Sequence, residues 1–294
     1  MTEPRLQVAV VIATAGRPDV VGDVLADLAA QTVAPDHVVL SVPDERSLPT
    51  GGVPDGVLVT RASGVAAQRN AGMRAVPGVD VVLFFDDDSR VRADFVENAL
   101  AVFESDPSVL ALSARVLLDG AVGPAVTVDD ALRALAESAR DPDPAGGQPV
   151  ADRKTLYGCG FGYRVGATAE RFDERLPLYS WLEDHDLARR LLKQGRLVTA
   201  PQCVIVHRGV KSGGRTAHVR LGYSQVMNPS WFVRKGSFPL PLAADEIGRR
   251  VVKNAVLSLG GPEAAWRRQR LRGNALAALD VLRGRFTPER ILQL

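Results

Sequence analysis

Short runs of consecutive apolar residues alternate with stretches of helical period along most of the chain. The runs at 6–13, 37–42, 57–61 and 79–85 are too brief for helices and rich in Val, which predicts strands, the first and last of them buried on both faces. Between them, Pro18 suits the first turn of a helix reaching about Gln31, with Val20, Val21, Val24, Leu25 and Leu28 on one face. A second, small-residue helix over 64–76 carries Gln68, Arg69 and Asn70. Pro43-Asp44 ends the second strand, and a Pro/Gly-rich loop over 48–56 leads to the third. Strands that alternate with helices predict βαβ units and a mostly parallel sheet.

The pattern continues with a helix over 93–104 (Phe95, Ala99, Leu100 and Phe103 inward), a strand over 109–118 and a helix over 129–140. Residues 141–152, DPDPAGGQPVAD, have no period and predict a loop. At 156–164, LYGCGFGYR alternates glycine with larger residues, which in a strand predicts close approach by a ligand or another backbone and singles out Gly158 and Gly160. An amphipathic helix over 183–194 stops at Gly195, and 196–206 reads as a strand pair interrupted by Pro201, closed by His207. After a glycine-rich loop at 209–214, a helix over 245–259 places Ile247, Val251, Val252, Ala255, Val256 and Leu259 on one face, with Arg249, Arg250 and Lys253 elsewhere around it. A last helix over 262–283 carries Arg267, Arg268, Arg270 and Arg272 beside Trp266.

The chemistry is concentrated where the buried strand at 79–85 meets Asp86, Asp87 and Asp88. Ligands bind at the carboxyl edge of open α/β sheets, and adjacent carboxylates repel unless a cation lies among them. A hard divalent ion such as Mg²⁺ or Mn²⁺ takes oxygen ligands and bridges carboxylate to diphosphate. A solvated turn is the competing reading.

Composition narrows the setting. At 294 residues, 46% hydrophobic and 24% charged, the chain can bury a full core and is expected to form one main domain plus an appendage. Its only cysteines, Cys159 and Cys203, suit a reducing, cytoplasmic location, and neither a signal peptide nor a membrane span is evident. The net charge of +2 is unevenly spread: residues 207–294 hold 16 Lys/Arg against 5 Asp/Glu, leaving 20 against 29 in the rest. A tail of +11 on a body of −9 points to an anionic partner.

Thr14 to Arg17 after the first strand, Asp44 after the second, Arg69-Asn70, Asp86-Asp87-Asp88, the glycine-rich strand, Trp181-Leu182-Glu183-Asp184 and His207 stand in an order that resembles family 2 inverting glycosyltransferases of the GT-A fold, over roughly residues 8–209. The resemblance implies a GT-A (Rossmann-like), mixed, mostly parallel central sheet flanked by helices. The catalytic domain would span 1–215, with a nucleotide-sugar half to about 118 and an acceptor half from 119, before a basic helical tail over 216–294. It implies a nucleotide-diphosphate-sugar donor contacted by Thr14, Arg17 and Asp44, with Arg69 near the base or diphosphate. Asp86 would face ribose and metal, Asp88 and His207 would bind Mn²⁺ or Mg²⁺, and Asp87, on the nucleotide-sugar side, would be a helper or a spectator. Asp184 is the implied general base, Glu183 orients acceptor or base, and Gly158, Gly160 and Trp181 line the sugar.

Residue chemistry alone leaves alternatives beside these roles. Asp44 suits a turn cap, Arg69 a solvated helix face, His207 a packed ring, and Asp186 is the next candidate base. The first-strand motif lacks the aromatic or Asn residue frequent in the family, and the Asp44 segment lacks its usual second acid. Rival readings are an Asp-nucleophile phosphatase built on Asp86-x-Asp88, which leaves Glu183-Asp184 unexplained, and a non-catalytic nucleotide-sugar-binding module. For the tail, the readings are helices packed on the core or peripheral binding to an anionic membrane carrying a lipid-linked acceptor. Nucleic acid is not expected, because no binding motif accompanies the charge.

Overall fold

The computed structural model describes residues 5–140, 150–210 and 217–294. Most of the loop expected at 141–152 and residues 211–214 of the glycine-rich loop lie outside them. The described residues fall into two compact units, one drawn from 1–62, 68–171 and 190–211, the other from 63–67, 172–189 and 212–294.

The first unit is built on a nine-stranded mixed sheet flanked by helices. Strands β1 (Val8–Ala13), β2 (His37–Val42), β3 (Val57–Arg61) and β4 (Val81–Asp86) form an all-parallel stretch of it, in the order β3-β2-β1-β4. Every residue of β4 from Val81 to Phe85 is buried, as its unbroken apolar run requires. Next come β5 (Ser89–Val91), β6 (Val109–Asp119), β7 (Ala151–Asp152), β8 (Gly160–Arg164) and β9 (Arg196–His207). The sheet continues from β4 through β8, β6 and β9 to β5, with β7 also on β9. Helices α1 (Val21–Ala29) and α3 (Phe95–Ser105) present Val21, Val24, Leu25 and Leu28, and Phe95, Ala99, Leu100 and Phe103, to one continuous core. Phe85 meets Phe95 edge-on, and Phe84 stacks on Phe161 of β8, both with centroids 4.9 Å apart. The helix α4 (Val128–Arg140) covers Val204 and Val206 through Ala131 and Leu135.

Two sequence expectations change here. The strand expected over 156–164 is confined to β8, and its glycines admit side chains rather than a backbone. A Cβ at Gly160 would lie 2.4 Å from Ile205 Cδ1, and one at Gly162 2.4 Å from Leu83 Cδ2. Residues 196–207 form one strand, not a pair; the register slips between Ala114 and Arg115, so Pro201, which has no N–H to give, sits in a bulge. Between the acidic run and α3, β5 runs antiparallel to β9 with Ser89 opposite His207.

In the second unit α6 (His218–Arg234), α7 (Leu240–Leu257) and α8 (Ala264–Leu282) pack together. Gly222 and Gly273 let α6 and α8 touch, since a Cβ on either would fall 2.1 Å from a carbonyl oxygen of the other helix. The apolar face expected on α7 is split. Ile247 and Val251 pack inward, but Val252, Val256 and Leu259 are exposed, while Asn254 and Glu246 are buried. The reason is a buried polar cluster. Asn254 donates to Gln225 and Asn274, and receives Arg267 Nη1 at 2.9 Å. Arg267 and Trp266 are therefore packed, with Trp266 stacked on His218 and under Arg267 and Arg270. Among the described residues no helix is long and apolar enough to cross a membrane.

Candidate active site

The acidic turn after β4 is not a solvated one. Asp87 and Asp88 are buried, and only Asp86, with its side chain 35% exposed, reaches solvent. The buried carboxylates are held from several sides, as burying charge demands. Thr14 Oγ1 donates to Asp87 Oδ2 at 2.6 Å, and Arg17 Nη1 donates to Asp87 Oδ1 at 2.7 Å while lying 3.4 Å from Asp88 Oδ2. Burial pushes Asp87 up to about 6, Asp88 and Asp86 add to the rise, and Arg17 and Thr14 pull against it. Thr14 and Arg17, both expected as donor contacts, thus carry the bonds that fix the acidic turn.

Arg69 is 1% exposed, which excludes the solvated-helix reading. Its guanidinium lies over the Phe84 and Phe161 rings and donates to Asp86 Oδ1 at 3.2 Å and to the Gly158 carbonyl at 2.9 Å. Gly158 enters the site through that carbonyl. Asp44 stays exposed at the end of β2, accepting a hydrogen bond from Ser47 Oγ at 3.0 Å in a short 3-10 turn.

The pairing of β5 with β9 brings His207 beside Asp88, although 119 positions separate them in sequence. His207 Nε2 lies 3.4 Å from Asp88 Oδ1 and 3.9 Å from Asp86 Oδ2. Ligand atoms of Asp86, Asp88 and His207 all fall within 4.8 Å of one another. Asp88 Oδ2 accepts from Val210 N at 2.7 Å, whereas the buried Asp88 Oδ1 makes no hydrogen bond. A buried carboxylate oxygen left in that condition, facing an imidazole nitrogen, suits coordination of a divalent cation by oxygen and nitrogen. Burial opposes charge on His207, but the hydrogen bond to Asp119 and the nearby carboxylates of Asp88 and Asp86 outweigh it, lifting the ring to about 10. Asp88 shows the counterpart: burial would raise it, yet His207, Arg17 and Val210 hold it below the usual carboxylate range.

Residues 56–171 match the family model described as glycosyl transferase family 2. The fold is of the GT-A kind, a mixed, mostly parallel sheet flanked by helices. Among solved structures it is similar to the mannosyltransferase PcManGT of Pyrobaculum calidifontis in complex with GDP-Man and Mn²⁺. The TM-score is 0.51 and identity 17%, over 95% of this chain and 88% of that one. It is also similar to TarS of S. aureus, with a TM-score of 0.52 and 15% identity over 97% of this chain but only 55% of that one. At such identities the likeness is one of fold. No curated protein matches the sequence. The stretch matching the family 2 model contains Arg69, the acidic turn, Gly158 and Gly160, and ends before Asp184 and His207.

In the second unit, Glu183 and Asp184 open α5 (Glu183–Leu191), where acids also favour the helix dipole. Asp184 is partly exposed, its Oδ1 accepting from His185 N at 2.8 Å. Glu183 is buried. Asp186, the next candidate base, is fully buried and accepts from Ser237 Oγ at 2.6 Å and Lys235 Nζ at 2.8 Å. A carboxylate so enclosed is structural. The backbone leading to this turn is bent by three non-glycine residues in the left-handed region, Leu178, Ser180 and Leu182, at φ of 60°, 51° and 67°. Such residues cost about 1–3 kcal/mol each and persist where the surroundings impose them. Ser180 Oγ, donating to Leu176 O and receiving Ala66 N, is one such restraint. Trp181 lies under Arg250 at 5.1 Å, with its carbonyl held by Asn228. Nothing in the sequence marks 178–182 as strained, because no glycine or Asn stands there.

Proposed function

We propose that the protein transfers a sugar from a nucleotide-diphosphate-sugar donor to a hydroxyl of a saccharide or lipid-linked acceptor, with inversion, in polysaccharide or glycolipid biosynthesis. The observation that carries this reading is the convergence of Asp86, Asp88 and His207 at the carboxyl edge of β4 in a chain whose residues 56–171 match the family 2 model. Those three residues would hold Mn²⁺ or Mg²⁺, which supplies Lewis-acid neutralisation of the departing diphosphate. PcManGT holding GDP-Man and Mn²⁺ on a similar fold supports a donor and cation of that kind.

The chain's own residues then divide the remaining work. Arg69 fixes Asp86 from one side, and Thr14 and Arg17 fix the buried Asp87 and Asp88 from the other, so the cation ligands stand preorganised. Asp44, exposed at the neighbouring strand end, is suited to accept from a ribose hydroxyl or a base imide. Asp184 is the proposed general base and Glu183 its support. The acceptor oxygen attacks the anomeric carbon as the bond to the diphosphate oxygen breaks, the proton passes to Asp184, and the nucleoside diphosphate departs with the electron pair. Gly158, Gly160 and Trp181 are proposed to bound the sugar.

The exposed Val252 and Val256 on α7 and Leu259 just past its end, at 61%, 59% and 85%, with Arg249 and Lys253 on the same helix, support a cytoplasmic protein held peripherally on an anionic membrane. Each Lys or Arg near such a surface contributes about 1 kcal/mol, so this binding should reverse with salt. Sedimentation with phosphatidylserine vesicles at low and high salt tests it, and indifference at low salt removes it.

The main test is calorimetric titration of a panel of nucleotide-sugars with and without Mn²⁺. Wild type should bind one donor in a metal-dependent way, and folded Asp88→Ala should lose that dependence. Unchanged affinity in Asp88→Ala ends the cation-site reading. Assaying donor hydrolysis beside phosphatase substrates separates transferase, phosphatase and mere binding.

A further inference from the structure

We infer that Asp119 and Tyr157 form the support that aims His207 at the cation, making Asp119 a positioning residue. This rests on the proposed metal role of Asp86, Asp88 and His207, and it adds two residues that no motif in the sequence singles out. Asp119 ends β6 at a slip in register that sets it opposite His207 on β9. Its Oδ1 stands 2.9 Å from His207 Nδ1 and accepts Ala121 N at 2.9 Å, while Oδ2 accepts the Tyr157 hydroxyl at 2.5 Å. Four contacts thus fix one carboxylate and one ring, for Tyr157 also stands edge-on to His207 with centroids 6.2 Å apart. Asp119 is drawn well below the usual carboxylate range, to about 2, by His207, Tyr157 and Ala121 acting against its burial.

The consequence is a choice of nitrogen. With Nδ1 committed to Asp119, the other nitrogen, Nε2, is the one directed at Asp88 and Asp86. A carboxylate on the far side of a histidine fixes the tautomer and orientation of the ring and raises its strength as a ligand. The backbone is shaped for the same end. Gly120 N donates to the His207 carbonyl at 2.8 Å, and a Cβ at Gly120 would fall 2.0 Å from Arg208 O, so only glycine lets β6 and β9 close here.

The experiment is Mn²⁺ titration of the full-length protein without donor, read by electron paramagnetic resonance of the free ion. Asp119→Ala and Asp119→Asn should weaken Mn²⁺ binding by about 10–100-fold, the usual loss for such a partner, and Tyr157→Phe by less. Melting temperatures of the metal-free proteins should move little, which a purely structural carboxylate would not allow. The inference is overturned if folded Asp119→Asn binds Mn²⁺ within about twofold of wild type. Should Asp119→Ala not fold, Asp119→Asn and Tyr157→Phe decide. His207→Ala separates the two levels. If it binds Mn²⁺ like wild type, the metal reading itself fails, whereas loss in His207→Ala with none in the Asp119 variants overturns only the support.

Discussion

Two clusters of acids, Asp86-Asp87-Asp88 after β4 and Glu183-Asp184-x-Asp186 opening α5, look alike as strings of carboxylates but are used differently. In each, one acid is given over to holding the turn: Asp87 to Thr14 and Arg17, Asp186 to Ser237 and Lys235. In each, one acid remains partly exposed, Asp86 in the first and Asp184 in the second. The first cluster gathers cations and an imidazole around its carboxylates and leaves Asp88 Oδ1 without a hydrogen bond. The second has a helix N-terminus beneath it and a strained approach through Leu178, Ser180 and Leu182. A set of like charges that recruits countercharge from distant strands is suited to a metal. One standing at a helix start, partly open to solvent, is suited to take a proton.

Breaking this contrast is most direct at α5. Asp184→Asn should bind donor normally and lose about 10²–10⁴-fold in turnover, the range for removing a general base. Near-normal turnover would place the base elsewhere. Asp186→Ala should act on stability instead. Breaking a buried ion pair costs about 3–5 kcal/mol, and Lys235 keeps Asp173 at 2.6 Å, so the lower end is expected in urea unfolding. If Asp186→Ala leaves stability unchanged, its structural assignment is wrong.

A smaller effect tests the sheet between the strands of the first cluster. Gly160→Ala drives a methyl against Ile205 Cδ1 and should destabilise by about 1–3 kcal/mol, with Ile205→Val restoring part of the loss in a double-mutant cycle. Additive effects would mean that the glycine serves something other than this contact. The smallest expected effect is on the acid side of the second unit. Burial would raise Asp173, but hydrogen bonds from Lys235 and Trp231 hold it below the usual range. A carboxyl lowered in the folded state stabilises above its unfolded value near 3.9, and that contribution fades as pH falls through the folded value. Urea midpoints of wild type should therefore decline below about pH 4 more steeply than those of Asp173→Asn, and parallel curves would refute the linkage.

Much of this was legible because local pattern and local need coincide. The unbroken run before Asp86 can only be satisfied by a strand buried on both faces, and β1 to β4 lie where their Val-rich runs predict. The place of the acids at a strand end and at a helix start was legible for the same reason. Which acid does what was not. That Thr14 and Arg17, read as donor contacts, hold Asp87 was not visible, nor that Arg69, open to a solvated reading, is enclosed by Phe84 and Phe161, nor that Asp186, the next candidate base, is surrounded by Lys235 and Ser237.

The amino-acid sequence by itself determined the alternation of strands and helices, the edge at which charge collects and the split between an acidic body and a basic tail, since these follow from side-chain period and composition. Only the tertiary structure decided that β5 turns back along β9 to set His207 beside Asp88, that Asp119 stands behind that ring, and that the α7 stripe divides into a buried polar seam and an exposed apolar face. The physical reason is range. Period and propensity act over a few residues, whereas a buried charge is satisfied by whatever partner the fold brings within about 3 Å, and that partner can lie anywhere in the chain.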